Sequence, residues 1–423
     1  MRNIMTTEKI RRRKTGLFIC AVILSLFSSM SKVLVPNAVF DQLQNELGLN
    51  VSLLASLSSW YMYAYATSQL FLGLFVESLG GVRVLFFAGI TFSLGSLLFP
   101  LCSTPWLMFL VRIITGLGAG SVFIGLLKLL TDLYNERFGY IMGFSMFLGY
   151  LGTTLGSGPM VGLVHLCGWR MALLIPAFIS LTLFLLMLLF MPGTAGPRTR
   201  HPEILRPLKE AMLQGNMIRL TLIDAFWCGV YYTMLNVMGR KCLEDALHFP
   251  VRWSALLLTL LTVIVAVLNF STGFICRIFK GHYRQMILGI GLVGLAGYLL
   301  GYLTISRDGS GWLMALAYVL IGIPAGCFSI NANLTKEDSP PQYISLRVTL
   351  LNVWAFVMIA VLGKCGGMIM HWQESRAVLA DGVLHYPPEA YQGVFLMFIL
   401  TGLISLYAAW GLFPQKRDDR LKI

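Results

Sequence analysis

Long apolar runs separated by short polar segments dominate the pattern of the chain. A helix needs about 20 mostly apolar residues to cross the hydrocarbon core of a bilayer, and twelve runs reach that length. They lie at about residues 16–38, 51–76, 82–101, 106–130, 138–164, 171–191, 219–238, 253–275, 286–304, 311–332, 345–370 and 391–413. The pattern predicts an all-α membrane protein with twelve transmembrane helices, which we number as spans 1 to 12.

The composition of the chain agrees with this prediction. Of the 423 residues, 57% are hydrophobic and 12% are charged, whereas soluble domains carry about 25% charged residues. So much apolar surface cannot all be buried in a core, and the excess must face lipid. The net charge of +13 is spread over many short loops, so we expect no nucleic-acid partner.

The distribution of basic residues predicts the orientation in the membrane. With the N-terminus in the cytoplasm, the inner segments carry 22 of the 32 Lys and Arg residues, and the outer loops carry six. The positive-inside rule therefore places both termini in the cytoplasm. The apolar run after Arg11-Arg12-Arg13-Lys14 is too long for the core of a secretory signal, so we interpret it as a retained span 1.

The longest inner loop, residues 192–218, is rich in proline, glycine and basic residues and is interpreted as a cytoplasmic linker. It divides the chain into an N-terminal six-helix bundle, residues 1–191, and a C-terminal one, residues 219–423. The segment from Gly73 to Arg83 between spans 2 and 3 is weakly similar to the segment from Gly273 to Arg284 between spans 8 and 9. The matching positions favour a duplication of six spans.

The loop after span 2 carries a family signature. The pattern G-x-x-x-D-R-x-G-x-R/K-R/K is matched at Gly73, Gly80 and Arg83, with Glu77 in place of the aspartate and Ser78 in place of the arginine. Span 4 contains a second signature, Arg112-Ile-Ile-Thr-Gly-Leu-Gly-Ala-Gly120. Span 5 contains a third, made of Gly152, Gly156, Gly158, Pro159 and Gly162. Together these segments resemble the major facilitator superfamily of secondary transporters.

The resemblance implies two pseudo-symmetric six-helix bundles, a monomer, and transport by alternating access. It implies that the network around Glu77 holds the outward-open state and that the glycine-rich seams flex, although static packing explains those glycines equally well. The expected gating residues are Gly73, Glu77, Gly80, Arg83, Gly158 and Pro159.

Ionisable residues within spans are costly in lipid and therefore mark candidate sites. Lys32 can attract an anionic substrate or extend to the outer surface, and Lys128 can line an inward-facing cavity or reach the cytoplasmic surface. By resemblance, Arg112 can couple proton and substrate movement; otherwise it bonds to span 1 or to a backbone carbonyl. Asp224 suits proton coupling; otherwise it forms a salt bridge with Arg219 or lies near the cytoplasmic surface.

Aromatic and amide side chains complete the candidate substrate site. Tyr61 and Tyr65 share one face of span 2, and Tyr231 and Asn236 lie in span 7. Such residues can stack on or hydrogen-bond to a substrate, and they also serve as packing residues. The predicted substrate-binding set is Lys32, Tyr61, Tyr65, Arg112, Lys128, Tyr231 and Asn236, and the predicted proton-coupling set is Asp224 and Arg112.

These residues favour a carrier of a small polar solute, anionic or zwitterionic, driven by a proton or another ion in the inner membrane of a bacterium. The alternative is a proton-driven exporter of drugs or metabolites such as siderophores. The eight cysteines have no metal-ligand spacing, and the chain has neither a nucleophile-base pair nor a nucleotide-phosphate loop. We therefore expect no metal, no cofactor and no enzymatic activity.

Overall fold

The computed structural model of the protein describes residues 2–134, 138–191, 212–213, 215–278, 282–307, 309–339, 344–380 and 383–412. The side chains of some helical residues, Glu77 among them, are outside the described set. Most of the predicted linker, residues 192–211 and residue 214, also lies outside it, as does part of the predicted repeat, residues 279–281.

The first half of the chain forms spans 1 to 6. Its helices are α1 (Arg2–Leu34), α2 (Phe40–Leu47), α3 (Val51–Leu79), α4 (Gly81–Leu98), α5 (Pro105–Tyr134), α6 (Phe138–Leu155), α7 (Gly158–Cys167) and α8 (Trp169–Phe190). Spans 1 to 4 are α1, α3, α4 and α5, and span 6 is α8. Span 5 is divided into α6 and α7. The short amphipathic helix α2 connects spans 1 and 2.

The second half forms spans 7 to 12. Its helices are α9 (Met217–Thr233), α10 (Val251–Ile278), α11 (Tyr283–Ser306), α12 (Gly311–Gly326), α13 (Phe328–Glu337), α14 (Ile344–His371) and α15 (Pro388–Trp410). Span 10 is divided into α12 and α13, and the others are single helices. An antiparallel hairpin of β1 (Val378–Ala380) and β2 (Val383–His385) joins spans 11 and 12.

Nine described helical segments are individually long and apolar enough to cross a membrane. The remaining predicted spans, 2, 5 and 7, are helical but polar or interrupted. In α3, the polar residues Ser59 and Gln69 are buried. The Ser59 hydroxyl donates to the Ala360 carbonyl, and the Gln69 side-chain oxygen accepts from the Asn352 amide. Both partners belong to the other half of the molecule. Their polarity therefore belongs to the interface between the bundles and not to a lipid-facing surface.

Two predicted boundaries were wrong. Span 5 is not a continuous helix, because α6 ends at Leu155 and α7 begins at Gly158. Span 7 does not end at residue 238, because two π-helical turns, Met234–Met238 and Cys242–Ala246, extend it to Ala246. Arg240 and Lys241, which the pattern places in an outer loop, therefore lie on the helix.

Each half packs its helices closely, and the halves meet along two seams. Within the first half α1 packs against α6 and α8, and α5 packs against α3 and α4. Within the second half α9 packs against α14, and α11 packs against α12 and α15. The seams between the halves are α3 with α14 and α6 with α10. We call the side where α1 begins and α15 ends the terminal face, and the other side the distal face.

Glycine permits the closest of these contacts. A β-carbon on Gly152 of α6 would lie 2.1 Å from the Leu26 carbonyl oxygen of α1, so a larger residue would force these helices apart. Large apolar side chains such as Phe87, Phe270 and Leu400 instead remain exposed on the outside of the helices. This distribution fits a molecule whose outer surface meets lipid.

Candidate functional site

A cavity of about 120 Å³ lies between the two halves, near the middle of the spans. Its wall is formed by α1, α3, α5 and α6 of the first half and by α9, α10, α12 and α14 of the second. The described polar and aromatic groups in the wall are Ser25, Ser29, Lys32, Tyr65, Phe123, Ser145, Tyr150, Thr153, Cys228, Tyr231, Tyr232, Asn352 and Phe356. The rest of the described wall is apolar apart from the backbone at Gly149.

Lys32 is the charged side chain in the described part of this wall. Its residue is only 9% exposed, and its Nζ lies 4.6 Å from the centre of the Tyr65 ring and 4.9 Å from that of the Phe356 ring. Cation–π contacts of this kind stabilise an ammonium only partly. No ion pair in the described part of the chain involves Lys32, so its charge remains available to an anion.

The two rings beside Lys32 come from opposite halves of the molecule. Tyr65 belongs to α3 and Phe356 to α14, with ring centroids 4.3 Å apart. On another wall, Tyr231 and Tyr232 of α9 form an edge-to-face pair with centroids 5.0 Å apart. The Tyr231 hydroxyl is buried and has no hydrogen-bond partner among the described residues. An unpartnered buried hydroxyl is unfavourable unless a ligand or water satisfies it.

Arg112 lies apart from the cavity wall. It is 2% exposed. Its guanidinium donates to the carbonyl of Ser31 in α1 at 3.4 Å and to that of Val35, just after α1, at 3.2 Å. It also donates to the carbonyl of Leu57 in α3 at 3.5 Å. Its guanidinium carbon also lies 4.0 Å from the centre of the Tyr61 ring. The arrangement matches the structural alternative, a bond to span 1 and to backbone carbonyls.

Three further members of the predicted substrate set lie outside the described cavity wall. Tyr61 is completely buried, and its hydroxyl donates to the Ser28 carbonyl. Lys128 forms an ion pair of 2.9 Å with Asp132, one turn nearer the terminal face. Asn236 donates to the Ser58 hydroxyl at 3.4 Å. The structure therefore brings together Lys32, Tyr65 and Tyr231 from this set.

Asp224 is buried in the second half, one helical turn on the terminal side of Cys228 in the cavity wall. Its Oδ1 accepts a hydrogen bond of 3.2 Å from the Asn331 amide of α13. Its Oδ2 has no hydrogen-bond partner among the described residues. Arg219, the expected ion-pair partner, instead places its guanidinium beside Gly411.

The predicted gating glycines lie at contacts and turns. Gly73 faces Thr349 across the α3–α14 seam, where an added β-carbon would lie 3.2 Å from the Thr349 methyl carbon. Gly80 has a positive φ of 80° and separates α3 from α4, a conformation that glycine adopts readily. Arg83 lies half-exposed in the first turn of α4, and the Glu77 side chain is outside the described set.

Gly158 joins the two halves at the α6–α10 seam. Its backbone N–H donates to the Thr259 hydroxyl of α10 at 3.1 Å, and a β-carbon there would lie 2.7 Å from the Ala255 carbonyl oxygen. Pro159 follows in the first turn of α7, where a missing N–H is tolerated. One turn away, the Thr262 hydroxyl donates to the Thr154 hydroxyl at 3.1 Å. Hydrogen bonds therefore hold this seam closed.

A cluster of charges joins the halves at the distal face. Asp41 of α2 forms ion pairs with Arg240 at 2.8 Å and with Lys241 at 2.6 Å. Arg240 also pairs with Glu244. Nearby, Asp245 accepts hydrogen bonds from the Tyr391 hydroxyl and the Tyr386 backbone N–H, at 2.6 and 3.0 Å. We call the contacts of Asp41 with Arg240 and Lys241 the distal seal.

The distal seal is strongest at neutral and alkaline pH. Burial raises the pKa of the Asp41 carboxyl, but the charges and hydrogen bonds of Arg240 and Lys241 outweigh burial and hold that pKa below its ordinary value. A carboxyl whose pKa is lower in the folded protein stabilises the fold above its unfolded pKa, and this contribution is lost as the pH falls through the folded pKa.

The sequence did not identify all of these residues. Tyr150 and Phe356 in the cavity wall were indistinguishable from packing aromatics, and no periodic signal marks them. Asp41 and Arg240 lie 199 positions apart, so their pairing has no local signature. The local signal for the distal seal was the position of two basic residues, Arg240 and Lys241, close to the end of an apolar span.

The fold and this central cavity agree with the comparison with known families. The profile of the Major Facilitator Superfamily matches residues 17–363. The chain therefore belongs to the Major Facilitator Superfamily.

Several transporters of bacteria are similar to this chain. The probable sulfoacetate transporter SauU of Cupriavidus necator is 24% identical over 285 residues, which cover 61% of this chain and 64% of SauU. The multidrug resistance protein MdtL of Shewanella is 22% identical over 316 residues, 72% of this chain and 76% of MdtL. A gallate transporter of Pseudomonas putida is 28% identical over 164 residues, 38% of this chain and 36% of that protein. The chain thus spans less than two thirds of the length of SauU.

Solved transporter structures share the fold. The nucleoside transporter NupG superimposes with a TM-score of 0.68 at 15% identity, over 95% of this chain and all of NupG. An inward-facing, occupied structure of a bacterial homologue of the lysosomal transporter Spinster gives a TM-score of 0.69 at 16% identity, over 94% of each chain. This similarity confirms the predicted fold of two six-helix bundles.

Proposed function

We propose that the protein is a secondary carrier of a small organic anion, moved by alternating access and driven by an ion gradient. The observation that carries this proposal is Lys32: a buried ammonium in the cavity wall with no ion-pair partner in the described part of the chain. An ion buried without a counter-ion is unfavourable. A bound carboxylate or sulfonate would supply the missing charge.

The surroundings of Lys32 favour an organic anion over a small inorganic one. Tyr65 and Phe356 present ring faces beside the ammonium, and much of the remaining wall is apolar. An apolar wall with a few placed polar groups is typical of sites for organic ligands. Two similar transporters are named for organic anions, sulfoacetate and gallate. We propose this substrate class and not either compound in particular.

The position of the seals supports alternating access. The distal seal and the Gly158–Thr259 hydrogen bond close the two halves at one face, so the substrate would enter or leave the cavity from the terminal face in this state. Asp224 is the proposed coupling carboxylate, since it lies one turn from the cavity wall with an unpartnered oxygen. We propose that the terminal face is cytoplasmic and that the membrane is a bacterial inner membrane, because basic residues concentrate on that face.

An exporter of drugs or metabolites is the second candidate. The aromatic and aliphatic part of the cavity wall can accept an apolar compound, and MdtL is a multidrug resistance protein. However, a lipophilic cation would be repelled by Lys32, and no carboxylate is present in the described wall to attract it. These charges favour the anion carrier.

A ligand screen on purified protein tests the proposal. We expect sulfonates or carboxylates, including sulfoacetate and gallate as probes, to raise the melting temperature, because a ligand of the folded state stabilises it by mass action. Lys32→Ala should weaken binding of the active probe by about 100-fold, the loss expected when one partner of a buried charge pair is removed. Lys364→Ala is the matched control, since Lys364 is an exposed lysine of α14.

The two candidate functions give different results. Stabilisation by anions that is lost in Lys32→Ala and kept in Lys364→Ala supports the anion carrier. Stabilisation by tetraphenylphosphonium or ethidium, unchanged or strengthened in Lys32→Ala, would replace it with the exporter. Equal anion binding by the wild type and Lys32→Ala would remove Lys32 from the site and overturn the proposal.

A further inference from the structure

Four unpartnered oxygens are buried on the two helices, α9 and α13, that meet where span 7 contacts span 10. They are Asp224 Oδ2 and Thr221 Oγ1 of α9, and Asn331 Oδ1 and Thr335 Oγ1 of α13. All four residues are at most 6% exposed. None of these oxygens has a hydrogen-bond partner among the described residues. Buried polar atoms are otherwise paired in proteins, so a group of four calls for an explanation.

The two threonines differ from other buried threonines of the molecule. Thr233 and Thr304 donate their hydroxyl to the carbonyl one turn earlier, at Gly229 and Leu300, both at 2.7 Å. This bond is the usual way for a threonine to satisfy its hydroxyl inside an apolar helix. Thr221 and Thr335 do not form it. Their hydroxyl oxygens therefore keep both lone pairs available.

Helix geometry brings the four residues to one place. The hydrogen bond between Asn331 and Asp224 fixes the contact of the two helices. Thr221 precedes Asp224 by three positions and Thr335 follows Asn331 by four, so each lies on the same face as its neighbour. Because α9 and α13 run in opposite directions, both threonines lie one turn nearer the terminal face. The two helices thus present a carboxylate, an amide and two hydroxyls across one contact.

Span 10 is interrupted immediately before this group. Helix α12 ends at Gly326, two residues after Pro324, and α13 begins at Phe328. Interrupted membrane helices commonly contribute to ion sites in transporters, because the break frees polar groups from regular helix bonding. Asn331 lies in the first turn of α13, directly after the break.

We propose that Asp224, Asn331, Thr221 and Thr335 form a binding site for Na⁺. Hard cations prefer oxygen ligands, and these four side chains supply them. A single carboxylate neutralises a single positive charge, whereas Ca²⁺ sites use more oxygens and Mg²⁺ retains water. K⁺ is larger and needs more oxygens around it. No ion pair in the described part of the chain involves Asp224, so its negative charge is not paired with a described cation.

Arg347 is a buried cation on the terminal side of the group. It donates to the Asp338 carbonyl and the Ser339 hydroxyl, both at 3.1 Å, and Asp338 lies one turn beyond Thr335. Its bonds to these groups hold it on that side of the site. On the other side, Asp224 lies one helical turn from Cys228 and is not among the described residues of the cavity wall. The site therefore lies beside the cavity without opening into its described wall.

The position of the site gives Na⁺ a role in transport. The ion would fix α9 to α13, and α9 also carries Tyr231 in the cavity wall. Binding of Na⁺ would thereby order the wall that contacts the anion, so that the two ligands bind cooperatively. This coupling role rests on the proposed function, whereas the Na⁺ site itself does not.

Thermal unfolding of purified wild-type protein in sodium, potassium or choline chloride, at one pH and one salt concentration, tests the site. We expect a higher melting temperature in sodium chloride alone, and saturable binding of radioactive sodium. Asp224→Asn and Thr221→Val should each weaken Na⁺ binding by at least about tenfold, a change of the size expected when one direct ligand is lost. Thr233→Val is the matched control, because its hydroxyl is already bonded to Gly229.

The outcomes separate the site from the anion carrier. Sodium binding that is lost in Thr221→Val and kept in Thr233→Val supports the site, whether or not an anion is found. Equal melting temperatures in the three salts, with no binding of radioactive sodium, would overturn it. Anion uptake into proteoliposomes driven by a pH gradient without sodium would overturn the coupling role of sodium. The same result would leave the anion-carrier proposal intact. If the wild type and Lys32→Ala bound anions equally while sodium binding stayed intact, the anion carrier alone would be rejected.

Discussion

Lys32 and Arg112 are two buried cations of the same bundle with opposite surroundings. Arg112 donates to three backbone carbonyls, those of Leu57, Ser31 and Val35. Lys32 faces two aromatic rings and the cavity, and no hydrogen bond in the described part of the chain involves its ammonium. Both residues were candidates for substrate binding in the sequence, and the surroundings give them different roles.

The difference shows that burial of a charge is a weaker criterion than the satisfaction of its donors. Burying a charge is unfavourable in either case, but the Arg112 bonds compensate for it within the protein. In the described part of the chain, the charge of Lys32 is compensated by two ring faces, and we propose that a substrate anion neutralises it. Arg112 therefore hydrogen-bonds to spans 1 and 2, whereas Lys32 is the residue that we propose for substrate binding. Each of the following predictions separates stability from ligand binding.

Arg112→Met should produce the largest effect, and on stability. The substitution removes the donors to three carbonyls between α1, α3 and α5 and leaves those oxygens buried, which should lower the free energy of unfolding by about 2 kcal/mol or more. We expect a lower melting temperature and less monodisperse protein after purification. Anion affinity per folded molecule should change little. An unaltered melting temperature together with lost anion binding would show that Arg112 binds the anion and does not stabilise the fold.

Lys32→Met should change stability in the opposite direction. Without its anion, the wild-type protein keeps a buried ammonium with no counter-ion in the described part of the chain, and an apolar side chain of similar length removes that unfavourable term. We expect the ligand-free melting temperature to rise, by an amount corresponding to about 1 kcal/mol, while anion binding is lost. Lys32→Arg keeps the charge and serves as the control. A fall in melting temperature for Lys32→Met would show that Lys32 has a structural partner.

The sequence predicted the fold well because lipid acts on every span. Apolar runs of sufficient length had to become helices, and the family signatures at Gly73 and Arg112 gave the arrangement of the bundles. The exceptions lie where local polarity is compensated by distant groups. Arg240 was assigned to a loop because the carboxylate that pairs with it, Asp41, is 199 positions away. Such a pairing becomes visible only when the two halves meet.

The sequence predicted the site less completely, for a related reason. Lys32 was a candidate because a charge within an apolar run is conspicuous and Ser28 and Ser29 lie near it. The roles of Arg112 and Lys32 could not be separated, because the acceptors of Arg112 are backbone carbonyls, which every residue possesses. Phe356 and Tyr150 were not distinguished, because a cavity wall and a packed core use the same aromatic residues. The candidate site is therefore distinguished by unsatisfied donors and not by residue type.

The smallest predicted effect uses the ring beneath each cation. Tyr61 lies under Arg112 and Tyr65 under Lys32, at 4.0 and 4.6 Å, four positions apart on α3. Each cation–π contact is worth about 1 kcal/mol, so Tyr61→Leu should lower the melting temperature and leave anion affinity within about twofold. Tyr65→Leu should instead weaken anion binding by about fivefold, with a smaller effect on melting temperature. Measuring both quantities on both variants gives four numbers, and the comparison requires the two effects to separate. If both substitutions lowered only stability, Tyr65 would be a packing residue like Tyr61, and the Lys32 ammonium alone would recognise the anion.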